Sequence, residues 1–329
     1  ALNTFAGQTV PEGAQSIATI YAGHQFGNFN PQLGDGRAVL LGDLLTPNGK
    51  HVEMQLKGAG PTPFSRRGDG RAPIGPVIRE YVVSEAMAAL GVPTTRALAA
   101  VATGDAVYRE QVEPGGVICR IASSHIRVGT FELFASRGQT EQLKQLANYV
   151  INRHYPGCKD SESPYVALYS AVIKAQASLV AHWQSLGFVH GVMNTDNMLV
   201  CGETVDYGPC AFIDTYKANA VYSAIDRGGR YALNQQASIA HWNLLNLGQC
   251  LLPLFDEDQQ TAVDLAQPII NEFKTHYETA YYGKMSAKLG LTHTSQSRVL
   301  ADDFLNILEE QQLGYTLTLR EFAEFVDGQ

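Results

Sequence analysis

The chain has 329 residues, 45% of them hydrophobic and 17% charged, a balance that supports a buried core and excludes wholesale disorder. Its formal net charge of -8 argues against a broad nucleic-acid or anionic-membrane surface, although a local basic cluster can still hold one polyphosphate. The five cysteines are scattered with no CxxC pair, no apolar run is long enough for a membrane span, and the first residues lack the regions of a signal peptide. These features predict a cytoplasmic protein with no membrane or nucleic-acid partner. The last stretch, with Phe322 and Phe325, reads as helix almost to the chain end, which suggests a fragment of a longer chain.

From Gly34 to about Ile121 the pattern is strands broken by glycine-rich turns, with one helix. Arg37 to Leu45 is β-rich. His51 to Lys57 alternates, Val52, Met54 and Leu56 against Glu53, Gln55 and Lys57, so Lys57 stands on the face opposite the apolar set. A turn-rich loop leads to a helix over about Ile74 to Leu90, with Val77, Ile78, Tyr81, Val82 and Ala86 at helical spacing and Gly91 as its cap. Another strand is predicted over Gly116 to Ala122. Beyond Glu141 the periodicity is helical, as in Val172, Ala175, Leu179, Trp183 and Leu186, and the one interruption, NMLVCGETVDYG, reads as a short hairpin. The expected fold is α+β, with a β-rich N-terminal lobe over 1–140 and a mostly helical C-terminal lobe over 141–329.

A strand lysine, Lys57, followed by a helix glutamate, Glu80, is the arrangement by which kinases hold nucleotide phosphates. An arbitrary lysine and glutamate would more often be a surface ion pair. The run His190 to Asn197, HGVMNTDN, followed by Asp206, Tyr207 and Gly208, parallels the kinase catalytic loop and its metal-binding DFG. Aligning His190 with the first residue of HRDxxxxN puts Asn197 on the metal-binding asparagine and Val192 where the catalytic aspartate belongs. Valine cannot accept a proton, so ordinary phosphotransfer is doubtful, while Asn197 and Asp206 keep oxygen ligands suited to magnesium. Arg37, Lys57, Arg120 and Arg127, on separate predicted elements, suggest a convergent polyphosphate pocket, although each arginine alone would be read as solvated surface.

The blocks YAGHQFGNFNPQLGDGRA, LKGAGPTPFSRRGDGRA, IREYVVSEAMAALGVPTTRAL, HGVMNTDNM and DYGP, in this order, resemble the signatures of the selenoprotein O (YdiU) family of protein adenylyltransferases, over about Ile20 to Trp242. The resemblance implies an atypical, bilobal kinase-like fold that binds ATP flipped, so that AMP passes to Ser, Thr or Tyr hydroxyls of protein substrates and pyrophosphate leaves. It implies nucleotide contacts from Gly34, Gly36, Arg37, Lys57, Asp69, Gly70, Arg120, Arg127 and Asp206, with Glu80 as partner of Lys57. Asp196 matches the proton acceptor, and Asn197 and Asp206 match ligands for Mg2+, with Mn2+ as an alternative. The segment CAFIDTYKANA departs from the family's FxDxYxP pattern because Lys217 follows Tyr216. His24 and His241, without an HxxxH pair or matching carboxylates, read as packing or capping residues. Two alternatives stay open: a phosphotransferase in which Asp196 replaces the missing base, and a nucleotide-binding pseudokinase scaffold.

Overall fold

A computed structural model describes residues 2–326. The fold is α+β, and its contacts divide it into two compact units: the chain up to Leu143 together with Asn194–Gly208, and Lys144–Met193 together with Pro209 onward. Asn194–Gly208, assigned by sequence to the second lobe, thus packs with the first unit. Among the described residues no helix is long and apolar enough to cross a membrane.

The first unit contains α1 (Leu2–Phe5), β1 (Ile20–Gln25), β2 (Asn28–Gly34), β3 (Ala38–Leu45), β4 (His51–Lys57), β5 (Ala72–Pro73), α2 (Ile74–Ala89), β6 (Arg96–Tyr108), β7 (Val112–Ala122) and α3 (Val128–Ser136). β1 and β2 form an antiparallel hairpin, while β3, β4, β7, β5 and β6 form an antiparallel sheet in which β7 pairs with β4, β5 and β6. The centre of β7 is buried on both faces: Val117 and Cys119 pack with Leu41 and Leu56, and Ile118 packs with Ala72, Val77 and Ala97. Strand alternation then puts Arg120 on the Ile118 face. The register pairs Arg120 with Gln55, and Ile118 with Lys57.

Two local expectations change. The inward face of α2 is Val77, Glu80, Ser84 and Met87, whereas Ile78, Tyr81 and Val82 are exposed. Glu80 faces inward because its carboxylate is satisfied by cations there. The expected hairpin over NMLVCGETVDYG does not form, because its two arms find partners elsewhere in the unit. Val128 N–H donates to the Met198 carbonyl and Val200 N–H to that of Ile126, while Thr204 N–H donates to Pro93 and its carbonyl accepts from Thr95. Met198, Leu199, Val200 and Val205 are all buried there.

The second unit is helical. The division between the units falls within α4 (Thr140–His154), and α5 (Pro164–Ser185), α6 (Gln236–Phe255), α7 (Gln259–Lys288), α8 (Ser295–Glu310) and α9 (Tyr315–Val326) follow, with one small pairing of β8 (Phe188–Val189) and β9 (Ala211–Phe212). Val189, Ile213, Met285, Leu308 and Tyr315 share its apolar cluster. The side chain of Phe325 lies outside the described residues.

In the first unit α3 approaches β1 closely. A Cβ added at Gly129 would lie 2.2 Å from the Ala22 carbonyl oxygen. In an unconstrained helix Gly→Ala stabilises by up to about 1 kcal/mol. Here the clash reverses the sign, and Gly129→Ala is expected to cost about 1–3 kcal/mol in urea unfolding. A variant as stable as the parent would show that α3 and β1 do not touch this way.

Candidate active site

The polar face of β4 turns inward. Lys57 Nζ donates to Glu80 Oε2 at 2.9 Å and to Asp206 Oδ1 at 2.8 Å. Arg120 bonds the same two carboxylates, from Nε to Glu80 Oε1 and from Nη2 to Asp206 Oδ1, and donates from Nη1 to Gln55 Oε1 at 3.2 Å. Burial alone would raise both acids, but Arg120 and Lys57 hold Glu80 below the usual carboxylate range and, with Arg127, hold Asp206 well below it. Buried charges persist only when paired in this way, and removing one partner strands the others. Asp206 adopts a left-handed backbone, φ 63°, uncommon for a residue with a side chain.

Arg127 extends the network. Its guanidinium lies 4.5 Å from the centre of the Tyr21 ring, donates from Nη2 to Asp35 Oδ1 at 3.2 Å and from Nη1 to the Asp196 carbonyl at 2.8 Å, and stands 3.5 Å from Asp206 Oδ2. Asp35 also accepts from the Tyr21 hydroxyl, the Thr19 hydroxyl and the Gln55 amide. Asp196 sits on a single helical turn, Thr195–Asn197, and is buried. Its Oδ2 accepts from Gln25 Nε2 at 3.2 Å, while its Oδ1 has no partner. Burial pushes its carboxyl up from 3.8 to about 6, against the pull of Arg127 and Gln25.

These groups border a cavity of about 800 Å³, within the range of small-molecule sites. Gly34, Gly36, Arg37, Lys57, Asp69, Gly70, Arg120, Arg127, Asp196 and Asp206 all line it. Glu80 stands behind Lys57, and Asn197 is not among the lining residues. Eight lysine and arginine side chains face four aspartates around the wall, a local cationic excess in a chain of net charge -8. The loop over residues 60–71 presses on the first GDGR: a Cβ at Gly34 would meet the Phe64 ring at 2.4 Å, and one at Gly36 the Phe64 carbonyl at 2.8 Å. Gly70, at φ 63°, leaves no room for a side chain against Gly60. Asp69 is engaged by Arg109 at 2.8 and 2.9 Å, which lowers its carboxyl to about 2.

Tyr21, Gln25, Asp35, Gln55 and Arg109 also serve this site and were not singled out by sequence. Asp35 lay inside the GDGR block, where an aspartate between glycines reads as a turn former. Gln55 lay on the correct face of β4, but only the register with β7 reveals its contact with Arg120. The donors available to a divalent cation are hard oxygens, and no cluster of three or more His, Cys, Asp or Glu suited to a metal occurs among the described residues. An ion here would need substrate oxygens to complete its shell, as magnesium commonly does.

Residues 2–328 match the model of a family described as "Protein adenylyltransferase SelO". Among curated relatives named "Protein nucleotidyltransferase YdiU", that of Rhizobium etli (strain CIAT 652) is 54% identical over 321 residues, covering 97% of this chain and 64% of the relative. The one from Methylorubrum extorquens (strain PA1) is 55% identical, covering 99% of this chain and 66% of its own length. That of Agrobacterium fabrum (strain C58 / ATCC 33970) is 53% identical, with 98% and 67% covered. The chain thus spans about two thirds of the length of these relatives.

The raised Asp196 carboxyl has a consequence for stability. Its folded pKa, about 6, lies above its ordinary value of 3.8, so the folded state binds the extra proton between these values. Stability from this group is therefore fully present below about pH 4, falls as pH rises to 6, and stays reduced above. Without nucleotide or divalent cations, Asp196→Asn is expected to be more stable than the parent at pH 7.5, by up to about 3 kcal/mol, with the difference vanishing near pH 4. A variant less stable at pH 7.5 would place the carboxylate in a favourable rather than a desolvated setting.

Proposed function

This chain belongs to the SelO (YdiU) family, and we propose that it transfers AMP from ATP to Ser, Thr or Tyr hydroxyls of protein substrates, releasing pyrophosphate. The observation that carries this reading is the distribution of charge around the cavity. Arg120 and Arg127 are each only 2% exposed, whereas Arg37, Arg66, Arg67 and Tyr108 form an exposed rim. The triphosphate is the most anionic part of ATP and is stabilised most against the buried, preorganised cations. ATP in that orientation points its adenosine toward the rim and leaves the α-phosphorus, rather than the γ, open to an acceptor. The Lys57–Glu80 pair on a strand and the following helix supports a bilobal kinase-like fold, with lobes over 1–140 and 141–329 except that Asn194–Gly208 groups with the first. Five free cysteines agree with a cytoplasmic setting.

In this reading the acceptor oxygen attacks the α-phosphorus, its proton passes to Asp196, and the bond from the α-phosphorus to the bridging β-oxygen breaks to release pyrophosphate. The partnerless Oδ1 of Asp196 supports the assignment, since a base needs an oxygen free to accept. Gly34, Gly36 and Gly70 let backbone approach the nucleotide, and Arg37, Lys57, Arg120 and Arg127 bind phosphate oxygens. Asp69 contributes by holding Arg109 at the rim. Asp206, kept ionised by its cations, and Asn197 would hold Mg2+ or Mn2+. When bound, such an ion supplies charge neutralisation and alignment of the phosphate oxygens.

Labelled ATP tests the reading. Label on the α-phosphate is expected to enter protein acceptors, and label on the γ-phosphate is not. Val192→Asp restores the carboxylate that the kinase alignment lacks, and a positioned base is worth on the order of a hundredfold or more. No rise in γ-transfer is expected from it, because the γ-phosphate faces the buried arginines. Robust γ-transfer by that variant would favour a phosphotransferase, and nucleotide binding with neither transfer would favour a scaffold.

A further inference from the structure

Four consecutive residues at the end of β1, Gly23 to Phe26, each meet the segment Asn194–Asp196. A Cβ at Gly23 would lie 3.0 Å from Asp196 Oδ1, so a side chain there would crowd the carboxylate. The backbone N–H of His24 donates to Thr195 Oγ1 at 2.7 Å, and that of Phe26 to Asn194 Oδ1 at 3.1 Å. Between them Gln25 donates its side-chain amide to Asp196 Oδ2. A second layer braces these contacts from α3: Thr195 Oγ1 donates to Glu132 Oε2 at 2.6 Å, and His24 Nδ1 lies 2.5 Å from Glu132 Oε1. Thr195 is 0% and Glu132 3% exposed. The turn that ends β1 is itself left-handed, with φ 51° at Phe26 and 81° at Gly27, which aims the Phe26 N–H at the loop.

Apolar packing does not explain this set, because from His24 to Phe26 each contact with the segment is a hydrogen bond, and the brace behind it consists of polar contacts to Glu132. We infer that the β1–β2 hairpin is a positioning element for Asp196, in which Gln25 holds Oδ2 and with it the orientation of the carboxylate, while Glu132, Thr195 and His24 fix the backbone beneath it. The inference rests on the reading of Asp196 as proton acceptor. His24 is then part of a brace rather than a simple packing residue. Gln25 acts through Asp196, as a positioning residue, since its amide donates to Asp196 Oδ2.

Purified protein assayed for α-labelled transfer tests this, with ATP affinity measured by calorimetry on the same samples. Gln25→Met keeps the side-chain length and removes the donor. It is expected to lower kcat by roughly ten- to a hundredfold, as misplacement of a catalytic group does, with KM for ATP, ATP affinity and Tm unchanged. Thr195→Val should lower kcat with ATP affinity unchanged, and should lower Tm as well because Glu132 and the His24 N–H lose a buried partner, while Thr195→Ser, which keeps the hydroxyl, should recover most of the rate. In single-turnover assays, adding Gln25→Met to Asp196→Ala should cost nothing further, because the two act as one unit. Parent-like kcat in both Gln25→Met and Thr195→Val, beside an inactive Asp196→Ala, overturns the positioning role and leaves the base assignment standing. Parent-like transfer by Asp196→Ala overturns the base assignment itself. A kcat loss matched by equal losses of ATP affinity and Tm would mark the hairpin as structural support only and overturn the inference.

Discussion

Two cations, Lys57 and Arg120, share two carboxylates, Glu80 and Asp206, and most of the first unit is arranged to make that possible. The four groups come from β4, β7, α2 and the loop after Asn194, so the charge network links elements distant in sequence. None of these charges would be tolerated in its place alone, since stranding one buried ion costs several kcal/mol. The backbone of Asp206 accepts a left-handed conformation as part of the same arrangement. Arg127 and Asp35 extend the network to Tyr21 and to the carbonyl of Asp196, which ties the buried cations to the segment carrying the candidate base.

Such a network suits a polyanionic ligand. Each cation of the network is satisfied by a protein carboxylate, which holds it in place and limits the cost of organising it around phosphates. The exposed arginines at the rim, by contrast, meet solvent. Charge is thus graded from a rigid interior to a solvated mouth, and that gradient gives the cavity a direction. Asp196 stands apart from the graded set: it is desolvated, bonded through one oxygen and buried without a partner at the other, so its carboxyl is raised where that of Asp206 is lowered.

Much of this was legible in the sequence where the signal was local. The period-2 pattern of His51–Lys57 gave the inward polar face of β4. Reading failed where long-range partners decide. The arms around Cys201 looked like a hairpin because both are apolar, yet their backbone groups bond to residues 93–95 and 126–128, contacts invisible to a window of neighbours. The spacing of Ile78, Tyr81 and Val82 marked α2 as a helix but not its inward face, which Glu80 and its cations set. The β1–β2 hairpin escaped notice because glycines and Pro31 break its alternation, and Asp35 was hidden by its resemblance to a turn residue.

The direction of ATP in the cavity is the central claim, and a crystal structure with a non-hydrolysable ATP analogue measures it most directly. The account predicts the terminal phosphate against Arg120 and Arg127, adenosine at the rim beside Tyr108, and the α-phosphorus as the phosphorus nearest the Asp196 carboxylate. A complex with adenine packed against those buried arginines and the γ-phosphorus nearest Asp196 would contradict it.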